Sequence, residues 1–215
     1  MRVAILVSGR GSNMEAILKA REEGQLPAAE IALVFSNIPD APALEKAQKS
    51  GVKTKVLDQK SFKGKREAYD TELLKILSEE RIEFIVLAGF MRIITRILLE
   101  AYPNRMINIH PALLPAFPGL HSQKQAFDYG VKVTGCTAHF VDSGVDTGPI
   151  ILQAVVPVFS NDTEESLSDR ILKFEHRLLP KALDLATRGL LSVVGRRVYI
   201  EEEFPESNQY FYHHK

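Results

Sequence analysis

Arg105-Met106-Ile107-Asn108-Ile109-His110-Pro111 is the stretch around which the rest of the chain is organised. Met106, Ile107 and Ile109 read as a short buried strand. Pro111 has no N–H with which to continue an interior ladder, so the strand stops just past His110. Asn108 and His110 are two apart and share one face of that strand. A carboxamide and an imidazole then stand side by side at the carboxyl end of a strand, where open α/β sheets bind ligands. An imidazole shuttles protons near neutral pH, and a carboxamide donates to a carbonyl oxygen that gains negative charge. The pair suits acyl transfer better than hydride or phosphoryl transfer. The plain alternative is a strand-end His and Asn that satisfy loop carbonyls.

At 215 residues the chain is most simply one domain with a substantial core. Lys+Arg and Asp+Glu are equal at 27 each, so no global field favours nucleic acid or an acidic membrane. Cys136 is the one cysteine, which excludes an internal disulfide and a cysteine-rich zinc site and fits a reducing compartment. The chain enters a strand at once, without a charged leader and cleavage site, and no apolar run reaches membrane-spanning length. A cytoplasmic protein that uses no nucleic acid or membrane is expected.

Outward from the central strand, Val3-Ala-Ile-Leu-Val7 is a continuous apolar run, typical of a strand buried on both faces. Ser8-Gly-Arg-Gly-Ser-Asn13 follows, then Met14, Ile17, Leu18 and Arg21 at helical spacing. Such a loop presents backbone N–H groups at the positive end of a helix, which suits a phosphate. A dinucleotide fingerprint would need a third glycine where Met14 stands and an acidic residue after the second strand, Ile31-Ala-Leu-Val-Phe35, which ends instead in Ser36-Asn37. The loop reads as a monophosphate site or merely a tight strand-to-helix turn.

Pro42 opens a helix with Ala43, Leu44 and Ala47 on its apolar side, and 52–57 reads as a third strand. A helix over Tyr69, Leu73, Leu74, Ile76 and Leu77 carries Arg66 in its first turn, solvated or reaching an anion. Phe84-Ile-Val-Leu-Ala88 is a further buried strand. It runs into Gly89-Phe90-Met91-Arg92-Ile93-Ile94, which either lines a pocket for a flat ring or packs in the core around a snorkelling Arg. A short helix is expected over 95–101.

Beyond the central strand, Leu114-Pro-Ala-Phe-Pro-Gly-Leu-His121 is a stiff loop, and Ser122 is expected to cap a helix from Gln123 to about Tyr129. Residues 133–141 alternate as a strand with Thr137 and His139 on one face; His139 reads as structural. Asp142-Ser-Gly-Val-Asp-Thr-Gly-Pro149 is the second loop that looks chemical. If the fold brings Asp146 to His110, its carboxylate stabilises the imidazolium; otherwise either Asp makes an Asx turn. A strand over 150–159 precedes a long helix from Asp162-Thr163 to near Gly189, with Glu165 completing a capping arrangement and Ile171, Phe174, Leu178 and Leu179 as the apolar stripe. Glu175 falls beside that stripe, on a solvated face or against a ligand amine. Residues 191–194 and 197–200 look like a hairpin, and His213-His214 reads as a frayed end.

Taken together, five segments are far more specific than any one: Ser8-Gly-Arg-Gly-Ser-Asn13, Ala88-Gly-Phe-Met-Arg92, Asn108-Ile-His-Pro-Ala-Leu-Leu-Pro115, Phe117-Pro-Gly-Leu-His121 and Asp142-Ser-Gly-Val-Asp146. In this order and spacing they resemble the phosphoribosylglycinamide formyltransferases, a branch of the folate-dependent formyltransferases, from Met1 to about Leu190. The wider family includes methionyl-tRNA and sugar-nucleotide enzymes and a formyltetrahydrofolate hydrolase. The glycine loop separates them, and on the length given there is no room for the tRNA enzyme's extra domain or the hydrolase's regulatory domain.

The resemblance implies an α/β, Rossmann-like, mostly parallel twisted sheet with helices on both faces and a C-terminal hairpin. It implies one domain over 1–190 (a phosphate-binding half to 100, a catalytic and folate half from 101), followed by the hairpin and tail, 191–215. It implies that Gly11, Ser12 and Asn13 hold the substrate phosphate and that Leu172, Lys173, Phe174 and Glu175 border the ribonucleotide. Folate contacts fall on Arg66, Met91, Arg92, Ile93, Ile94 and Asn108, with Asp142, Ser143, Gly144, Val145 and Asp146 closing over the pterin. The implied reaction passes the formyl group of 10-formyltetrahydrofolate to the amine of glycinamide ribonucleotide in purine biosynthesis, without a metal, in a monomer or homodimer. Asn108 is the oxyanion donor, His110 the proton shuttle, and Asp146 keeps His110 protonated. A hydrolase, in which water replaces the amine, and a nucleotide-binding module without turnover are the competing readings.

Overall fold

The computed structural model describes residues 1–201 and the backbone of 211–212. Two compact units divide the chain, Met1–Ile107 and Asn108–Lys215.

In the first unit, strands β1 (Arg2–Val7), β2 (Glu30–Ser36), β3 (Thr54–Val56) and β4 (Phe84–Leu87) alternate with helices α1 (Ser12–Glu22), α2 (Pro42–Lys49), α3 (Arg66–Glu79) and α4 (Arg96–Ala101), with a 3-10 turn at Gln59–Phe62. Their order is β3-β2-β1-β4, and the β1–β2, β1–β4 and β2–β3 ladders are all parallel. Parallel neighbours need crossover connections, which the helices between the strands supply. Residues 3–7 and 84–87 are buried throughout, as their unbroken apolar runs require. β3 is shorter than the expected 52–57. In α3, Tyr69, Asp70, Leu73 and Leu77 are buried, whereas Leu74 and Ile76 lie partly open.

Strand β5 (Met106–His110) starts in the first unit and ends in the second. The second unit continues with α5 (Ser122–Tyr129), β6 (Val133–Phe140), β7 (Ile150–Pro157), α6 (Glu164–Thr187), β8 (Leu191–Val194), β9 (Arg197–Ile200) and β10 (Phe211–Tyr212). β6 and β7 pair antiparallel, β7 and β9 parallel, and β8–β9 is the expected hairpin. α6 packs along β6 and β7. The α/β class and flanking helices are as read from the sequence; the antiparallel departures belong to the second unit. The tail at 202–210 and 213–215, including His213-His214, lies outside the described residues. Among the described residues, no helix is long and apolar enough to cross a membrane.

Two helix starts differ from expectation. Ser122 is not the cap of α5 but its first residue: His121 takes the N-cap position at φ 58° without a side-chain cap, and the Ser122 hydroxyl donates to the Pro111 carbonyl at 3.4 Å. α6 closes its capping box through Ser166 and not Glu165. Thr163 Oγ1 accepts from the Ser166 N–H at 3.1 Å and Ser166 Oγ from the Thr163 N–H at 3.0 Å. The box needs its second member at the third helical position, where Ser166 stands.

Candidate active site

The glycine loop behaves as its composition requires. Gly11 is the N-cap of α1 at φ 77° and makes no side-chain cap to the first-turn N–H groups. A Cβ on Gly11 would lie 2.5 Å from the Ala43 Cβ, so only glycine fits this close approach. Ser8, Gly9, Arg10, Gly11, Ser12 and Asn13 line a pocket together with Ala88, Gly89 and Met91. It lies at the carboxyl ends of β1 and β4, with an uncapped helix start on one wall, a favourable place for an anion. Gly11, Ser12 and Asn13 are thus brought together.

Past β4, Met91 and Ile93 are 67% and 50% exposed, whereas Ile94 is buried. Arg92 does not reach into solvent. Its guanidinium lies 3.7 Å over the Tyr69 ring, and Nη1 donates to Gln59 Oε1 at 3.2 Å. Burial pushes the Tyr69 phenol up, and Arg92 beside it partly opposes that. Arg66 is the exposed first residue of α3.

In the second unit, Asn108 and His110 share the face of β5 that the period of two assigned them, and both meet Asp146. The Asp146 Oδ2 lies 3.2 Å from His110 Nδ1 and accepts from the Gly119 N–H at 2.8 Å. Its Oδ1 accepts from Asn108 Nδ2 at 3.4 Å. His110 Nε2 faces the Phe117 carbonyl at 2.8 Å. Both ring nitrogens therefore face acceptors. A neutral imidazole has one N–H, so only the doubly protonated ring satisfies both neighbours. The 111–117 loop is held in place by Thr137, whose Oγ1 donates to the Ala112 carbonyl at 2.7 Å and accepts from the Leu114 N–H at 3.1 Å. Gln153 Nε2 donates to the Leu114 carbonyl at 2.9 Å.

The two aspartates of the 142–149 loop have separate tasks. Asp142 Oδ1 accepts from the Gly144 N–H at 3.0 Å and the Thr147 hydroxyl at 2.6 Å, an Asx turn that shapes the loop. This turn delivers Asp146, at φ 53°, to His110. Ser143, Gly144 and Val145 are exposed between them.

On α6 the apolar stripe runs through Leu167, Ile171, Leu178 and Leu179, and Glu175, only 6% exposed, lies in it. Phe174, expected in the stripe, is half-exposed, as is Leu172, and Lys173 is exposed. The solvated-face reading of Glu175 is therefore wrong: a four-residue step from Ile171 reaches Glu175 and three more reach Leu178, and the face they define is the buried one. Burial and the nearby Glu175 carboxylate push the Cys136 thiol up, so this thiol is not a nucleophile.

His139, read from the sequence as structural, is buried as that reading expects, but it also touches Asn108, which the sequence did not reveal. It is 2% exposed, its Nδ1 donates to the Phe140 carbonyl at 2.8 Å, and its Nε2 stands 3.3 Å from Asn108 Nδ2. The Nδ1–H bond fixes the tautomer, so Nε2 is an acceptor that orients the Asn108 amide. Burial pushes His139 below the usual histidine value. Its shared face with Thr137 was the available signal. Asp70 was also missed: it is 1% exposed, Oδ2 accepts from the Thr95 N–H at 2.7 Å, and burial pushes its carboxyl up. Among the described residues no cluster of His, Cys, Asp and Glu has a metal-binding arrangement.

A strand-end amide and imidazole on a carboxylate, in a chain that also carries an anion-binding glycine loop, define an acyl-transfer type of protein. The formyl transferase family model matches residues 1–183, and the chain belongs to that family. It is 40% identical over 201 residues to the phosphoribosylglycinamide formyltransferase of Escherichia coli K12, covering 94% of each chain. It is 48% identical to the trifunctional purine biosynthetic protein adenosine-3 of Drosophila pseudoobscura over 206 residues, spanning 95% of this chain and 15% of the length of that one. Among solved structures, glycinamide ribonucleotide transformylase 1 of Symbiobacterium toebii superposes with a TM-score of 0.91 at 48% identity, covering 94% of both chains.

Proposed function

We propose that this protein transfers the formyl group of 10-formyltetrahydrofolate to the amine of 5-phosphoribosylglycinamide, giving the N-formyl ribonucleotide and tetrahydrofolate, a step of purine biosynthesis. The observation that carries this reading is the Asn108–His110–Asp146 cluster, in which an amide donor, a proton carrier and its counter-charge converge. Asn108 Nδ2 stands within 3.4 Å of Asp146 Oδ1 and 3.3 Å of His139 Nε2, which hold the amide in place, and in the reaction Nδ2 donates an N–H to the formyl oxygen as it gains negative charge. As the amine's bond to the formyl carbon forms and the folate nitrogen's bond to it breaks, His110 gives the departing nitrogen its proton and takes up the one the amine loses, and Asp146 holds His110 in its charged form. His110 Nε2 leaves the Phe117 carbonyl to do so.

The pocket of Gly11, Ser12 and Asn13 receives the ribonucleotide phosphate through backbone N–H groups at the start of α1. Residues 172–175 border the ribonucleotide, and buried Glu175 is the polar contact for its amine. Exposed Met91 and Ile93 offer apolar surface to the pterin, with Arg92 and Ile94 beneath them, and Arg66 meets the folate's carboxylates. Residues 142–146 close over the ring. The test is spectrophotometric: purified protein is mixed with 10-formyltetrahydrofolate, and glycinamide ribonucleotide is then added. Deformylation that starts only on this addition supports the transferase. Deformylation without it makes the protein a hydrolase, and none in either case refutes turnover.

A further inference from the structure

Three parallel strands of the first unit end level, with Val7 of β1 beside Ser36 of β2 and Leu6 beside Leu87 of β4. The residues that leave these strands are tied by a chain of hydrogen bonds reaching the 3-10 turn. The Met91 N–H donates to Ser8 Oγ at 2.8 Å, and the Ser8 hydroxyl donates to Asn37 Oδ1 at 2.6 Å. Asn37 Nδ2 donates to Gln59 Oε1 at 2.8 Å, and the same oxygen accepts from Arg92 Nη1 at 3.2 Å. The Gln59 N–H returns to the Asn37 carbonyl at 3.2 Å. Donors and acceptors alternate consistently along the chain. Asn37 is 1% exposed, so its amide depends on these partners. Ser8 and Met91 line the anion pocket, whereas Asn37 and Gln59 stand outside it.

We propose that Asn37 and Gln59 are positioning residues that brace the 8–13 loop and the 91–92 segment against each other. The geometry offered to the phosphate and to the folate donor is thereby set as one. This inference rests on the function proposed above, in which the first segment takes the phosphate and the second the pterin. Gln59 Oε1 is the joint of the brace: it is the one atom that both Asn37 and Arg92 address, and it acts only as an acceptor.

That acceptor role gives a discriminating pair of variants. Gln59→Ala removes the joint. Gln59→Glu keeps an oxygen in the same place for the same two donors. The measurements are kcat, the KM for each substrate, and the affinity for ribose 5-phosphate by titration calorimetry. Gln59→Ala is expected to raise both KM values about fivefold, the worth of one neutral hydrogen bond, with kcat within about twofold of wild type. Ribose 5-phosphate binding should weaken in parallel, and Gln59→Glu should restore all three. A change in one KM alone, a change in neither, or a Gln59→Glu variant no better than Gln59→Ala overturns the brace. If the wild-type protein does not turn over, the proposed function fails, yet the titration still decides the brace. Weaker ribose 5-phosphate binding in Gln59→Ala, restored in Gln59→Glu, supports it, and unchanged affinity refutes it.

Discussion

Replacing Asp146 by Asn removes one negative charge at nearly constant volume. In the native site this carboxylate lies 3.2 Å from His110 Nδ1, with the two side chains 5% and 13% exposed. Coulomb's law at that distance gives about 5 kcal/mol at an effective dielectric of about 20, and about 1 kcal/mol at the value of bulk water. The mostly buried pair lies nearer the first limit, so kcat should fall by about a hundredfold to a thousandfold. The substitution leaves a way to fold. An amide oxygen in place of Oδ2 keeps the Gly119 N–H, and the new NH2 then faces His139 Nε2, an acceptor that is 3.7 Å from Oδ1 in the native site. It also meets the Asn108 Nδ2, so some stability is lost. Steady-state kinetics with both substrates, alongside a thermal melt, separates the two effects. A folded Asp146→Asn variant within threefold of wild-type kcat would show that the carboxylate does not sustain the charge on His110, and the reasoning would be wrong.

Asn108→Ala deletes one oxyanion donor and should lower kcat by roughly a hundredfold or more, about 3 kcal/mol, with modest change in either KM; near-normal turnover removes Asn108 from the chemistry. His139→Phe frees the Asn108 amide and should lower kcat about tenfold while ribose 5-phosphate binding is unchanged, because only a neutral hydrogen bond to a positioning ring is lost. The same variant has a pH signature. His139 sits below its ordinary value of 6.5 because burial opposes its charge, so the unfolded chain binds the extra proton first. Its contribution to stability is therefore full above about pH 6.5 and is lost as pH falls below that towards the lowered folded value. His139→Phe should flatten this limb in denaturant titrations at several pH values, and an unchanged slope contradicts a neutral buried ring. Gly11→Ala puts a Cβ 2.5 Å from Ala43 at φ 77° and should cost about 1–3 kcal/mol in urea unfolding and weaken ribose 5-phosphate binding.

What could be read from the residues was what periodicity and punctuation encode. Apolar runs such as 3–7 and 84–87 fix strands, Pro111 ends β5, and a period of two puts Asn108 and His110 on one face. The glycine loop carried its own geometry, since an uncapped helix start beside a close backbone approach needs glycine. Local alternatives defeated finer reading. Asp162-Thr163 was read as the start of α6 with Glu165 as the capping partner, but Glu165 and Ser166 stand three residues beyond Asp162 and Thr163 respectively, and hydrogen-bond geometry chose Thr163 with Ser166. Asp142 and Asp146 are chemically alike. Only the turn that Asp142 makes decides which of them reaches His110. His139 was read as structural, which its burial bears out, but its bond to Asn108, the role of Asp70 and the burial of Glu175 were not legible, because polar side chains on a buried face announce themselves only through partners distant in sequence. The whole set of loops was nonetheless diagnostic, because their joint order and spacing is a constraint that no single segment carries.

The most direct test of the central claim follows the transferred carbon itself. The protein is incubated with 10-formyltetrahydrofolate labelled with 13C in the formyl group and with glycinamide ribonucleotide, and the label is traced by NMR. The account predicts that the label appears as the amide carbonyl of the formylated ribonucleotide, one for each tetrahydrofolate released. It also predicts that this signal is lost in a folded Asn108→Ala variant. Label recovered as free formate, or left on the folate by the wild-type protein, would contradict it.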